Sequence, residues 1–88
     1  NTLMEAMSCG TPCVGFNTGG IPEMIDHRKN GYVAEYKDAD DLTQGLQWIL
    51  FEADFRQLSE NARKKVLSEY AEEIIVNRYL TIYAEQSQ

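Results

Sequence analysis

Apolar residues fall in short blocks over the first 35 positions and at helical spacing after them. Thr2 to Ser8 is rich in Leu, Met, Glu and Ala, all strong helix formers, and predicts a short helix. Gly10 stands where a helix stops and Pro12 follows it. The run Cys13-Val14-Gly15-Phe16 suits a buried strand. Asn17-Thr18-Gly19-Gly20 reads as a loop, and Pro22 can open a short helix reaching Asp26. Asn30-Gly31 is a turn signal, and Tyr32-Val33-Ala34 after it reads as a second strand.

The second half is helical. Asp38 predicts an N-cap, with Asp40 and Asp41 where the helix dipole favours negative charge. Leu42, Leu46, Ile49, Leu50 and Ala53 form one apolar stripe. Trp48 and Phe51 lie off it, which fits either a helix buried on more than one side or a surface facing another part of the protein. A further helix is expected from Asp54 to Leu67, with Phe55, Leu58, Ala62 and Val66 in register and a break at Ser68. A last helix from Tyr70 to Glu85 carries a broad apolar arc that calls for a second packing surface. Two strands separated by a helical segment predict a βαβ unit with a parallel sheet. Two strands are too few for a sheet buried on both faces, so further strands are expected upstream.

Composition narrows the classes. The chain has 88 residues and 43% hydrophobic content, which suits a folded domain or part of one rather than a disordered segment. A net charge of −6 argues against nucleic acid as a partner, because phosphate backbones require basic patches. The basic clusters at 27–29 and 63–65 read as solvated surface. No apolar run is long enough to span a membrane, and the start shows no signal peptide. The chain lacks an initiator Met and opens almost at once on a helix, so it is expected to be cut from a longer protein. Cys9 and Cys13 are too few for a disulfide scaffold or a zinc site. Both are expected to be small buried apolar residues in a reducing compartment. His27 has no readable nucleophile beside it and is expected to be solvated.

The candidate chemistry lies near the start. Backbone N–H groups at a helix start, here near Asn1, Thr2 and Leu3, can hold a phosphate. Glu5, one turn further in, can accept hydrogen bonds from the adjacent hydroxyls of a ribose. The same spacing also fits a capping box in which Glu5 reaches back to the Thr2 N–H. Gly19-Gly20 before Ile21-Pro22-Glu23 fits either an anion-binding loop or a tight turn that needs a positive φ. Glu23 suits a first-turn charge serving the dipole.

The segment from Thr2 to Val14 resembles a signature of the retaining, GT-B-fold glycosyltransferases of the GT4 type, the glycosyl transferases group 1. There a Glu-x7-Glu motif runs into a helix reading roughly Leu-x-Glu-Ala-Met-Ala-x-Gly-x-Pro-Val-Val. Ser8 stands here where Ala is usual, and Cys13 where Val is usual. Gly19 to Ile25 is similar to the family's Gly-Gly-x-x-Glu loop and helix, Asn30 to Val33 to its turn and strand, and Asp38 to Leu42 to its next helix start. The likeness is specific to about residue 53 and generic beyond.

The resemblance implies an α/β fold: a partial Rossmann-like domain, the C-terminal half of the GT-B donor-binding domain, with residues 1–88 including its C-terminal helices. It implies transfer of a sugar from a UDP-, GDP- or ADP-sugar to an acceptor with retention, in polysaccharide or glycoconjugate synthesis, with no metal or cofactor. By its motif, Glu5 binds the ribose hydroxyls, and Asn1, Thr2 and Leu3 match the end of the diphosphate loop. The first motif Glu, the acceptor site and most catalytic groups would fall upstream, so no catalytic residue is assigned and the fragment alone is expected to be inactive. The missing N-terminal domain becomes the expected partner of the last helix. A cytoplasmic location follows, peripheral to the membrane through the missing part. Rival readings are another GT-B enzyme, such as a sugar-nucleotide epimerase or a phosphorylase, and a small non-catalytic α/β interaction module.

Overall fold

A computed structural model describes residues 2–72. Asn1 and the expected last helix beyond residue 72 lie outside the described residues. The first helix, α1, spans Thr2–Ser8. It ends as the sequence predicts. Gly10 takes a φ of 80°, its N–H donates to the Met7 carbonyl, and the Thr11 N–H donates to the Ala6 carbonyl. That pair of bonds is a Schellman closure, which satisfies carbonyls the helix leaves open. Strand β1 then runs Cys13–Phe16, helix α2 Ile21–Met24, strand β2 Gly31–Ala34 and helix α3 Ala39–Gln47. Asp38 caps α3 by accepting the Asp41 N–H at 3.0 Å. A π-helical turn, Trp48–Glu52, continues α3 directly. Helix α4 spans Phe55–Glu69, capped by Asp54. It runs through the break expected at Ser68, whose hydroxyl donates to the Lys65 carbonyl inside the helix.

The strands pair in parallel, Cys13 against Gly31 through Phe16 against Ala34. This is the predicted βαβ unit with α2 in the crossover. Side chains alternate across the sheet, as strand period requires. Cys13 and Val33 face a core of Met4, Met7, Met24, Ile25, Ala62 and Val66, built by α1, α2 and α4. Val14, Phe16, Tyr32 and Ala34 face a second core with Ile49 and Leu58, under α3 and the π-turn. Helices thus pack on both faces, while β1 stays half-buried along its whole length.

Three expectations are corrected. Cys9 is exposed rather than buried, and Cys13 is half-buried. Cys9 sits at the end of α1, where the chain turns outward into the Schellman closure. Leu46 and Leu50, expected on the buried stripe, are exposed, and so is Phe55. Of the expected stripe the sheet takes Leu42 and Ile49, and with them Gly45 and Trp48. Gly45 is the reason: it lets α3 lie directly on the Tyr32 ring, rotating the contact face away from Leu46. Trp48 thus packs inward while Phe51 faces out, so the two residues off the stripe differ in fate.

The Asn30-Gly31 pair also does more than turn the chain. Asn30 is the one buried polar side chain among the described residues. Its Oδ1 accepts the Asp26 N–H at 2.8 Å, which fixes the loop before β2. Gly31 opens β2, and a Cβ there would run into the Cys13 carbonyl across the pair.

Candidate functional site

Helix α1 begins at Thr2, so Thr2 is inside the helix rather than its cap. A capping box centred on Thr2 requires Thr2 outside it. Among the described residues no hydrogen bond joins the Glu5 carboxylate to Thr2. Glu5 is exposed, with an acidic position in the first turn of α1. The structural role that competed for this side chain is therefore unfilled.

Leu3 lines a cleft of about 260 Å³ together with Val14, Gly15, Gly20, Ile21, Met24 and Ile25. The start of α1 and the start of α2 thus border one space. Gly20 caps α2 without a side chain, and Pro22 sits in its first turn. Gly19 has a φ of 58°, the left-handed turn geometry that favours glycine. A Cβ at either Gly19 or Gly20 would meet no atom within 4 Å, so the loop is open toward solvent. Gly15 lets Ile21 approach the sheet, since a Cβ there would lie 2.9 Å from the Ile21 Cγ2. Of the four sequence-assigned binding residues, Leu3 lines this cleft. Thr2 and Glu5 are exposed on the same helix but do not line it, and Asn1 lies outside the described residues. Glu23 is exposed in the first turn of α2.

Cys13 offers no activated thiol. Burial pushes the Cys13 thiol up from its usual range, and its Sγ donates to the Thr11 carbonyl at 3.3 Å. A raised pKa keeps the thiol protonated and inert. Among the described residues no cluster of three His, Cys, Asp or Glu could hold a metal.

A second constellation escaped the sequence reading. The Tyr32 hydroxyl donates to Asp41 Oδ1 at 2.6 Å, and the Glu35 N–H donates to Oδ2 at 2.8 Å. The hydrogen bond from Tyr32 and the one from the Glu35 N–H hold the Asp41 carboxyl below its usual range. The same bond, with burial, raises the Tyr32 phenol. His27 is exposed as expected, yet its Nδ1 accepts the Val33 N–H at 3.0 Å and its ring meets Tyr32 edge-on at 4.6 Å. The Arg28 guanidinium lies 5.3 Å from the Trp48 ring centre and 5.9 Å from that of Tyr32. Arg28, Tyr32, Gln44, Gln47, Trp48, Phe51 and Glu52 line an open cavity of about 400 Å³. These residues are scattered from 28 to 52. The seating of α3 and the π-turn against β2 and the loop before it brings them together, so no local motif could have announced them.

The family profile described as "Glycosyl transferases group 1" matches residues 1–65. The chain is 43% identical over 82 residues to N-acetyl-alpha-D-glucosaminyl L-malate synthase of Bacillus anthracis, covering 92% of this chain and 22% of the relative. It is 34% identical over 83 residues to N,N'-diacetylbacillosaminyl-diphospho-undecaprenol alpha-1,3-N-acetylgalactosaminyltransferase of Campylobacter jejuni, covering 93% and 22%. Among solved structures, sucrose-phosphate synthase from Thermosynechococcus elongatus superposes with a TM-score of 0.75 at 28% identity, over 97% of this chain and 22% of that one. The chain therefore spans about a fifth of the length of the relatives it matches.

Proposed function

The chain belongs to the glycosyl transferases group 1 family, and from that premise we propose that it is the C-terminal part of the donor-binding domain of a retaining, nucleotide-sugar-dependent glycosyltransferase. The intact protein transfers a sugar from a UDP-, GDP- or ADP-sugar to an acceptor, in polysaccharide or glycoconjugate synthesis in the cytoplasm. Glu5 accepts hydrogen bonds from the ribose hydroxyls, and the backbone of Asn1, Thr2 and Leu3 cradles the diphosphate. The remaining catalytic groups come from the rest of the protein.

One observation carries this reading: Glu5 is solvent-exposed in the first turn of α1, with no capping bond to Thr2. A carboxylate freed from the local backbone is available to a ligand. The adjoining cleft between the starts of α1 and α2 supports it, because backbone N–H groups at helix starts favour anions. Catalysis would then rest on stabilising charge on the leaving diphosphate, to which this part contributes backbone donors.

The test is an amide-shift titration with UDP, GDP and ADP. Selective shifts at Thr2, Leu3 and Glu5 with one nucleotide are expected, and the nucleotide that causes them identifies the donor base. In the intact enzyme, Glu5→Ala removes a charge-assisted hydrogen bond of about 1.5–3 kcal/mol. It should therefore lower kcat/KM by about ten- to a hundredfold. An unchanged kcat/KM rejects the ribose role.

A further inference from the structure

Two uncommon backbone states meet at the cavity beside Trp48. The lining residues Trp48, Phe51 and Glu52 belong to a π-helical turn, a rare conformation that is found disproportionately at functional sites. Arg28, which lines the same cavity, has a φ of 65°, a left-handed state uncommon for a residue with a side chain. Core packing accounts for Trp48 but not for Phe51, which the π-turn leaves 82% exposed. A large aromatic held in water at the mouth of a cavity suits a ligand contact.

The lining selects the ligand class. Its charges are one guanidinium, Arg28, and one carboxylate, Glu52, so a polyanion finds repulsion beside attraction. The guanidinium already lies against the Trp48 and Tyr32 rings, where it repels a second cation. A lipid chain would strip water from two amides and two charged groups without replacing their hydrogen bonds. A neutral polyol satisfies every group. Gln44 and Gln47 each donate and accept, Arg28 donates a planar fork, Glu52 accepts, and a hydroxyl does both. The Phe51 ring offers an apolar surface for the C–H face of a sugar ring to cover. We propose that the cavity formed by Arg28, Gln44, Gln47, Trp48, Phe51 and Glu52 binds a ring of a neutral saccharide. Apart from the family's sugar chemistry it shares nothing with the cleft at Leu3, and it is tested separately from nucleotide binding.

Trp48 is the chain's one tryptophan, so its emission reports on this cavity alone. The 88-residue chain is titrated with maltotriose, cellotriose and triacetylchitotriose, and with inorganic phosphate as an ionic probe. The expected result is a saturable emission change with a trisaccharide and none with phosphate. Phe51→Ala and Gln44→Ala should each weaken binding about tenfold or more. Both side chains are exposed, so neither change removes core, and far-ultraviolet circular dichroism verifies the fold. No saturable change with any trisaccharide at tens of millimolar overturns the proposal. So does an equal response in both variants, or a response to phosphate. Emission that depends on protein concentration and not on saccharide assigns Phe51 to a contact between copies, which also overturns it. A chain that binds a trisaccharide but no nucleotide leaves this inference standing, and the donor-site reading is then decided by Glu5→Ala in the intact enzyme.

Discussion

Gly45→Ala tests whether the seat of α3 on the sheet is what organises the second core. In an exposed helix interior this change stabilises by about 0.5–1 kcal/mol, because glycine loses more backbone freedom on folding. Here the structure reverses the sign. A Cβ at Gly45 would stand 2.8 Å from both Cε1 and Cγ of Tyr32 and overlap its Cδ1. The ring has no easy retreat. It is 5% exposed, tied to Asp41 through its hydroxyl, and set against His27 and Trp48. Overpacking of a fixed core side chain costs about 1–3 kcal/mol. Set against the propensity gain, the mid-range net loss is about 1 kcal/mol. For a domain of this size each kcal/mol moves Tm by about 4–8 °C, so the melt should fall by several degrees. Thermal unfolding followed by Trp48 emission measures it. Gly45→Ala in a Tyr32→Ala background should be neutral or stabilising, which isolates the clash as a coupling between the two sites. A single Gly45→Ala variant as stable as the parent, or more so, refutes the argument.

Asn30→Ala should cost about 1–3 kcal/mol, because it leaves the Asp26 N–H inside the fold without its acceptor; a urea midpoint within error of the parent's would contradict this. Stability should also depend on pH through the Tyr32–Asp41 bond. Asp41 titrates lower in the folded chain, so its contribution is present above the ordinary carboxylate pKa, about 4, and is lost as pH falls through the lowered value. Tyr32 titrates higher in the folded chain, so its contribution is present below the ordinary phenol pKa, about 10, and is lost as pH rises. Tyr32→Phe should flatten both limbs of a urea-midpoint against pH curve, and identical limbs would discount the bond.

Local signals in the sequence were enough for the order and type of the elements through residue 69, apart from the π-turn at Trp48–Glu52. The Gly10-Thr11-Pro12 stop, the Asp38 cap and the two apolar runs each act within a few residues, where backbone preference and capping operate. The βαβ reading followed from that order, since a short helical crossover leaves the strands parallel. Helix-face assignment failed where it depended on a partner. Leu46 and Leu50 satisfy the periodic pattern as well as Leu42 and Ile49 do, and periodicity alone cannot say which edge of a broad stripe meets the sheet. The choice was made by Gly45, whose missing side chain gives the closest approach to Tyr32.

The candidate sites divide along the same line. Glu5 and the start of α1 sit in one continuous motif, so the sequence alone was enough to single them out as candidates, and it was enough for the family to which the chain belongs. The Asn30-Gly31 pair was legible as a turn, but the burial of Asn30 and the approach of Gly31 to Cys13 were decided by strand pairing. The cavity of Arg28, Trp48 and Phe51 was decided by tertiary structure alone. Its lining residues lie up to 24 positions apart, from Arg28 to Glu52. What joins them is long-range packing, and only a folded backbone holds the guanidinium over rings that the chain itself keeps apart.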